Sequence, residues 1–397
     1  MELTGAAVRA HRLCAHHLAS PLPSGAWEAA AGACGVQNSP PGAWEWSVAL
    51  RVRDATREGL RAALERDRRL VQAWSYRGVP VIFPAAERDV FLTPLAARPG
   101  EEPWIYTRGI TLALEHLGIA FDELLLTVEA AARWLDGHTV RGKAALDRSI
   151  AAEVESQLPP AVRARWRAPS MYGANQTVGE AAVSFLLRPC SFHSLVVFGA
   201  REGSTPSFTS MRRWLGALPP ERTDGEGELV RKFLHCYGPA TVTDFAAWLG
   251  SSPRQARRLW QSVAAELVPV QVEGRRRYLL SEDAASIAHG PDAPEDRLLL
   301  LGPHDPYLDL RDRQVILSDK TKHRAVWQTV SNPGAVLRAG RIVGVWRTRA
   351  ARDGLALTIT LFEPLPPARR EDLAIQAEAL AAFRGLTLRE LTVVDPV

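Results

Sequence analysis

The chain has 397 residues, 46% of them hydrophobic and 23% charged, with a formal net charge of +4. That length exceeds one ordinary core, and the composition excludes a fibrous repeat, a long disordered tail and a chain dominated by one charge sign. No stretch approaches the roughly 18 apolar residues of a membrane span, and the first residues carry Glu2 and Arg9 rather than an apolar leader, so a cytoplasmic protein without a membrane partner is expected.

In chain order, Thr4 is placed to cap a helix reaching about residue 20, with Ala7, Ala10, Cys14 and Leu18 as its apolar stripe. Ser24 caps a second helix over residues 26–33, and a third begins near Ala43 and carries Trp44, Trp46, Val48 and Leu50. Thr56 opens a helix to about residue 74, and residues 79–83 read as a strand. Further on, Thr127 caps a helix over 128–135, residues 143–157 form a longer one, and the runs 185–187 and 195–198 read as strands.

The clearest segment runs from about residue 226 to 280. A helix over 228–237 places Leu229, Phe233 and Leu234 on one side and is closed by Gly238-Pro239. Thr241 or Thr243 caps the next helix, 244–249, which stops at Gly250. Ser251-Ser252-Pro253 then starts a third helix, 253–267, that buries Ala256, Leu259, Trp260, Val263 and Leu267 and turns Arg254, Arg257, Arg258 and Gln261 outward. Two β runs, 268–272 and 278–280, flank Glu273-Gly274 and the arginines Arg275, Arg276 and Arg277. Three helices, a tight turn and a basic hairpin make a winged helix-turn-helix. Such a third helix can enter a major groove while the hairpin touches phosphates, although winged helices also serve as packing modules.

Similar grammar in all three regions predicts an α+β fold of three tandem winged helix-turn-helix units. After Ala293-Pro294 the character changes to short β runs at 298–301, 315–317, 335–337, 342–347 and 355–361. Ala339-Gly340 sits at a hairpin turn and a helix over 369–383 closes the chain. These read as a small C-terminal antiparallel barrel or sheet. The expected division is 1–125, 126–222, 223–292 and 293–397.

Charge alone says little. Only four of the 48 basic residues are lysine, and arginine suits bidentate phosphate and guanine contacts, yet a GC-rich genome produces the same bias. The four cysteines lack C-x-x-C spacing, so packed thiols and no metal are expected. Cys14 with His16 and His17, or His235 with Cys236, are poor ligand sets because adjacent residues rarely point at one ion. Phosphate-loop, dinucleotide, nucleophile-elbow and H-E-x-x-H motifs are absent, and no cofactor is expected.

Several phrases nonetheless resemble one family. GACGVQNSPPGAWEWSVALRVRD (32–54), WSYRGVPVIF (74–83), RRWLGALP (212–219), LVRKFLHCYGPATVTDFAAWLG (229–250), LGPHDPYLDLRDR (301–313) and RAGRIVGVWR (338–347) are similar to the AlkZ-type tandem winged-helix DNA glycosylases, the azinomycin-resistance group with YcaQ-like relatives. The resemblance implies three winged helices and a β-barrel in a C-shape around double-stranded DNA, a monomer working on the nucleoid. The implied activity is monofunctional hydrolysis of the N-glycosidic bond of bulky N7- or N3-alkylated purines, with self-resistance to a genotoxin as its purpose. DNA contacts would come from Asn38, Arg254, Arg257, Arg258, Arg275, Arg276, Arg311 and Arg341.

The family's catalytic signature is Gln-x-Gln or Gln-x-Asp, and the matching stretch is Gln37-Asn38-Ser39. Gln37 fits and Ser39 departs. An N7-alkylated purine leaves already cationic, so a neutral carboxamide that orients water is chemically sufficient, with Ser39 adding a hydrogen bond. No lysine stands near this motif in sequence, so a Schiff-base route is not expected. Two other readings stay open. Ser39 and Gln37 can serve as local helix caps, and the whole chain can be a non-catalytic DNA-binding protein, either a regulator or an adduct-sequestering factor. Asp305, in the phrase with His304, Tyr307, Arg311 and Arg313, is expected to bond an arginine or backbone rather than DNA.

Overall fold

Thr4 caps the first helix as its sequence demands: its hydroxyl accepts a hydrogen bond from the Ala7 amide at 3.1 Å, and helix Gly5–Ala15 follows. The computed structural model describes residues 1–101, 105–289, 295–309, 311–352 and 354–396, so the expected boundary at 292/293 lies outside the described residues. Packing divides the chain into two units. The first holds Met1–Ala63, Val230–Phe245 and Val263–Val397; the second holds Leu64–Leu229 and Ala246–Ser262. Compactness therefore groups the chain differently from the helix-helix-helix-strand order, because segments distant in sequence complete each core.

In the first unit the helices Gly5–Ala15, Trp27–Gly32 and Ala43–Ala49 occur near their expected places. Ser24 does not cap the second; its hydroxyl donates instead to Asp54 at 2.8 Å. Arg12, fully buried, donates to the carbonyls of Tyr237 (2.6 Å) and Gly238 (2.9 Å) and chelates Asp312 (2.9 and 3.1 Å). A buried guanidinium is tolerable here only because each of its three nitrogens finds an acceptor. The hairpin Leu267–Val272 and Arg275–Leu280 turns through Glu273 and Gly274, both at positive φ, and Glu2–Leu3 adds a third, parallel strand.

The C-terminal strands correct the barrel expectation. Leu298–Leu301, Gly334–Arg338, Arg341–Ala351, Gly354–Leu361 and Leu388–Val394 form a sheet in sequential order, open at both edges. The last strand has no counterpart among the expected β runs, and it pairs in parallel because helix Pro367–Phe383 carries the chain back across the sheet. That helix buries Leu373, Ala377 and Leu380 on Leu298, Leu300, Val336 and Trp346, and Trp46 enters the same core. Ala339 and Gly340, both at positive φ, make the expected hairpin turn. Residues 315–317 are not a strand; a 3₁₀ turn, Arg313–Val315, buries Val315 there.

The helix begun at Thr56 ends sooner than expected. Arg57–Arg61 passes through a π turn, and residues 70–74, now in the second unit, become the strand Leu70–Trp74, all five residues buried, paired antiparallel with Pro80–Pro84. The expected strand at 185–187 is helical. It lies inside Val178–Phe192, which a Thr177/Glu180 capping box initiates. Helix Phe121–Ala132 begins before Thr127, whose hydroxyl donates to the Glu123 carbonyl inside the helix. Lys143–Gln157 occurs as expected. The hairpin of this region is Val197–Glu202 with Thr205–Thr209, and Gln72 pairs with Phe198, so two hairpins share one sheet. Among the described residues no helix is long and apolar enough to cross a membrane.

Candidate active site and nucleic-acid interface

Gln37 ends the two-residue strand Val36–Gln37 and is 5% exposed. Asn38 is equally buried, and Ser39 is half-buried ahead of a cis bond to Pro40. The chain then turns through Pro40-Pro41-Gly42. Gly42, at φ +90°, is the N-cap of helix Ala43–Ala49, and no side chain caps that helix. The Asn38 carboxamide oxygen instead accepts the Gly42 amide at 2.7 Å and so closes the turn. Thus Asn38, read from sequence as a DNA contact, performs a structural task, and neither Gln37 nor Ser39 serves as the helix cap. A φ of +90° requires glycine here.

The helix after the triplet is rigidly anchored. Trp46 Nε1 donates to the Leu300 carbonyl at 2.7 Å, and its ring packs on Phe383. Glu45 is buried and accepts from Arg57 Nε and Arg61 Nε, both at 2.7 Å. Pro40–Ala43, Glu45, Arg57, Gly302, Pro303, Phe383 and Arg384 line a depression of about 480 Å³. Burial holds the Arg384 guanidinium below its ordinary range, neighbouring Arg57 lowers it further, and Glu45 opposes both. The phrase around residue 40 and the phrase around residue 303, far apart in sequence, therefore meet at one site.

Arg51, at the exit of the same segment, is fully buried and bidentate to Asp305 at 2.7 and 2.9 Å. Burial pushes the guanidinium down, but the Asp305 charge and hydrogen bonds outweigh it and hold it above its usual value. Asp305 also accepts the Tyr307 amide at 3.0 Å. The expected structural role of Asp305 is what the geometry shows. Sequence proximity missed one lysine: Lys232 donates to the Gly32 carbonyl at 2.6 Å, on the segment leading to Gln37. It caps the end of helix Trp27–Gly32.

The predicted basic residues fall into two behaviours. In the second unit, helix Pro253–Gln261 starts at Ser252, whose hydroxyl accepts the Gln255 amide at 3.2 Å. Gln255, missed by periodicity, is fully buried and donates to the carbonyls of Pro94 (3.1 Å) and Leu95 (3.0 Å). Arg258 is committed: it binds Glu101 at 2.6 Å and Glu226 at 2.6 Å. Burial works against its charge, yet the Glu101 hydrogen bond and both carboxylates hold its pKa above the ordinary value. Arg254 is exposed and donates to the Gly100 carbonyl at 3.2 Å, while Arg257 is exposed with no ion pair among the described residues. In the first unit Arg275 and Arg276 stand exposed on the hairpin, Arg276 lying over Tyr278. Arg277 is drawn back onto Asp244 at 3.0 Å. Arg311 is exposed, and Arg341 pairs with Glu363 at 3.2 Å.

Two side-chain groups among the described residues have metal-ligating composition, His16/Cys34/Cys236 and His11/His235/Asp283. Cys14, considered from sequence as a ligand, is exposed and belongs to neither.

The family model described as DNA glycosylase AlkZ-like matches residues 30–383. The chain belongs to the AlkZ-like DNA glycosylase family; it is a DNA glycosylase, a hydrolase of N-glycosidic bonds that serves DNA repair. An interstrand DNA cross-link repair glycosylase of Streptomyces sahachiroi is 27% identical over 327 residues, covering 79% of this chain and 79% of that protein. The fold is like that of the solved Streptomyces sahachiroi DNA glycosylase AlkZ, with a TM-score of 0.77 at 23% identity over 99% of this chain and 100% of the other.

Proposed function

We propose that this glycosylase removes bulky N7- or N3-alkylated purines from duplex DNA, with Gln37 orienting the attacking water, in the service of resistance to a genotoxin. The observation that carries the reading is the division of labour at the triplet. Asn38 and Gly42 build the start of the helix, so Gln37, nearly buried at the end of its strand, is not used as the cap. A carboxamide fixed by its surroundings is preorganised, which is what a catalytic hydrogen bond requires.

The chemistry suits a neutral amide. Alkylation at N7 or N3 makes the purine cationic, so the C1′–N bond breaks toward an oxocarbenium-like sugar without an acid on the base. Gln37 Oε1 accepts a hydrogen bond from water and aims its lone pair at C1′. Water adds as the purine departs neutral, and the water's second proton passes to solvent. Ser39, half-buried beside Gln37, supplies a hydrogen bond in place of the carboxylate or amide that relatives carry there. As a weak base it makes this enzyme slower than a Gln-x-Asp variant. The three winged-helix segments bind the duplex, with Arg254, Arg257, Arg275, Arg276 and Arg311 on phosphates, and the enzyme works as a monomer.

The relative named for interstrand cross-link repair supports large adducts as substrates. The test is incubation with duplexes bearing defined N7-guanine or N3-adenine adducts, followed by mass spectrometry of released base. Release by the wild type and its loss in Gln37→Ala are expected. Absence of release from every adduct, cross-linked duplex included, would overturn the substrate class.

A further inference from the structure

Three helices end on one point in the interior of the first unit. His16 is the C-cap of helix Gly5–Ala15, Cys34 directly follows the Ala33 C-cap of helix Trp27–Gly32, and Cys236 lies in the last turn of helix Gly225–Tyr237. All three side chains are buried, His16 and Cys236 completely. One ligand atom from each lies within 4.8 Å of the others. From these positions we propose that the protein binds a structural zinc ion through His16, Cys34 and Cys236.

Four observations favour an ion there. First, the distances have the right scale: in a tetrahedral zinc site with bonds of 2.0–2.3 Å, ligand atoms stand roughly 3.5–3.8 Å apart, so closing the cluster takes shifts of about 1 Å or less. Second, the imidazole is poorly satisfied. His16 Nδ1, the nitrogen that faces the sulfurs, is 4.0 Å from Cys34 Sγ, too long for a good hydrogen bond. A metal on the nitrogen facing Cys34 gives this ring a strong bond it otherwise lacks.

Third, backbone carbonyls fix both sulfurs in place: Cys236 Sγ lies 3.5 Å from Ala33 O and 3.8 Å from Ala15 O, and Cys34 Sγ lies 3.8 Å from Gly35 O. Fourth, Tyr237 stands alongside: its hydroxyl donates to the Pro306 carbonyl at 3.1 Å, and its oxygen, 3.5 Å from Cys34 Sγ, is placed to complete the coordination as a neutral fourth ligand. Zinc binding would displace one proton from each thiol, leaving a site with two thiolates, a neutral imidazole and no net charge. A neutral site is compatible with complete burial.

The ion would have a consequence for the reaction site. Cys34 leads through Gly35 directly into strand Val36–Gln37, so the clamp would fasten the strand that carries Gln37 to two helices. Its role is positional, since all three ligands are buried in the interior of the unit.

The test uses the purified full chain, expressed with zinc and handled without chelators. One equivalent of zinc per chain is expected by elemental mass spectrometry. Cobalt exchanged for zinc should show a near-ultraviolet thiolate-to-cobalt band with intense tetrahedral bands in the visible. Cys34→Ser and Cys236→Ser should each lose the metal, whereas Cys190→Ser, a buried thiol of the second unit, should keep it. A metal-free wild type after zinc loading would overturn the proposal. So would a cobalt spectrum lacking the thiolate band, which would put the ion on His11, His235 and Asp283 instead. Retention of metal by both serine variants would do the same. If those variants fail to fold, the wild-type cobalt spectrum decides alone.

Discussion

Two helix starts in this chain are spelled alike and built differently. Ser39-Pro40-Pro41 precedes helix Ala43–Ala49, and Ser251-Ser252-Pro253 leads into helix Pro253–Gln261. At the second, Ser252 caps the helix and Pro253 takes the first turn, the arrangement that the residue types favour. At the first, a cis Pro40 and a left-handed Gly42 displace the helix start, and Asn38 holds the turn from behind the prolines. Serine is thereby consumed by structure in one case and not in the other. The contrast extends to charge, since Arg258 and Arg51 are locked to buried carboxylates while Arg257 and Arg275 are exposed. Polar side chains committed to the fold and those left for substrate cannot be told apart by identity alone.

The sharpest way to probe that division is to break a committed pair. Asp305→Ala leaves the fully buried Arg51 without its carboxylate and is expected to cost about 3–5 kcal/mol, read as a lower denaturation midpoint at constant slope. A loss under about 1 kcal/mol would mean that Arg51 finds solvent and is not committed at all. Gln37→Ala tests the other class. Excision should fall by roughly 10²–10³, about 2.7–4 kcal/mol of transition-state stabilisation, with a smaller loss of stability of about 1 kcal/mol. A matching loss of stability would move Gln37 into the structural group.

Acid titration gives a smaller effect. Burial lowers the His11 pKa to about 4, with His235 lowering it further and Asp283 opposing. A base with a depressed folded pKa stays neutral while the unfolded chain takes up a proton, so its contribution is complete above about pH 6.5 and is lost as pH falls toward 4. His235, raised by its Asp283 hydrogen bond, acts in the opposite sense, so the measurement is a difference. His11→Asn should flatten the decline of stability between about pH 6.5 and 4.5 by on the order of 1–2 kcal/mol, read from denaturation midpoints across that range. An unchanged slope would show that His11 is solvated.

At about 1 kcal/mol, the paired helix starts can be tested against each other. Ser252→Ala and Asn38→Ala should each destabilise by roughly that amount, and Ser39→Ala by less than about 0.5 kcal/mol, in chemical denaturation. Equal losses for both serines would erase the contrast. Smallest of all, Arg257→Ala should weaken duplex binding a few-fold and reduce the salt slope by about one, while Arg258→Ala should act mainly on stability.

Much of the local structure is legible from residues alone: the Thr4 and Ser252 caps, helix Lys143–Gln157, the Glu273-Gly274 and Ala339-Gly340 turns, and the strand Leu298–Leu301. These depend on interactions within a few residues, where side-chain chemistry and backbone preference agree. The candidate triplet is also legible, but only through resemblance to a family, since Gln-Asn-Ser carries no chemistry by spacing.

Tertiary structure decided the rest. Residues 70–74 and 185–187 exchanged strand and helix against expectation because short apolar runs carry no decisive period and the surrounding core selects their form. Only the folded chain set Leu388–Val394 in parallel and left the C-terminal sheet open, since pairing partners lie far apart in sequence. The same is true of which arginines meet carboxylates, and of the meeting of Pro40 with Pro303 or of Cys34 with Cys236. Such contacts come from long loops closed by burial, and no local preference encodes them.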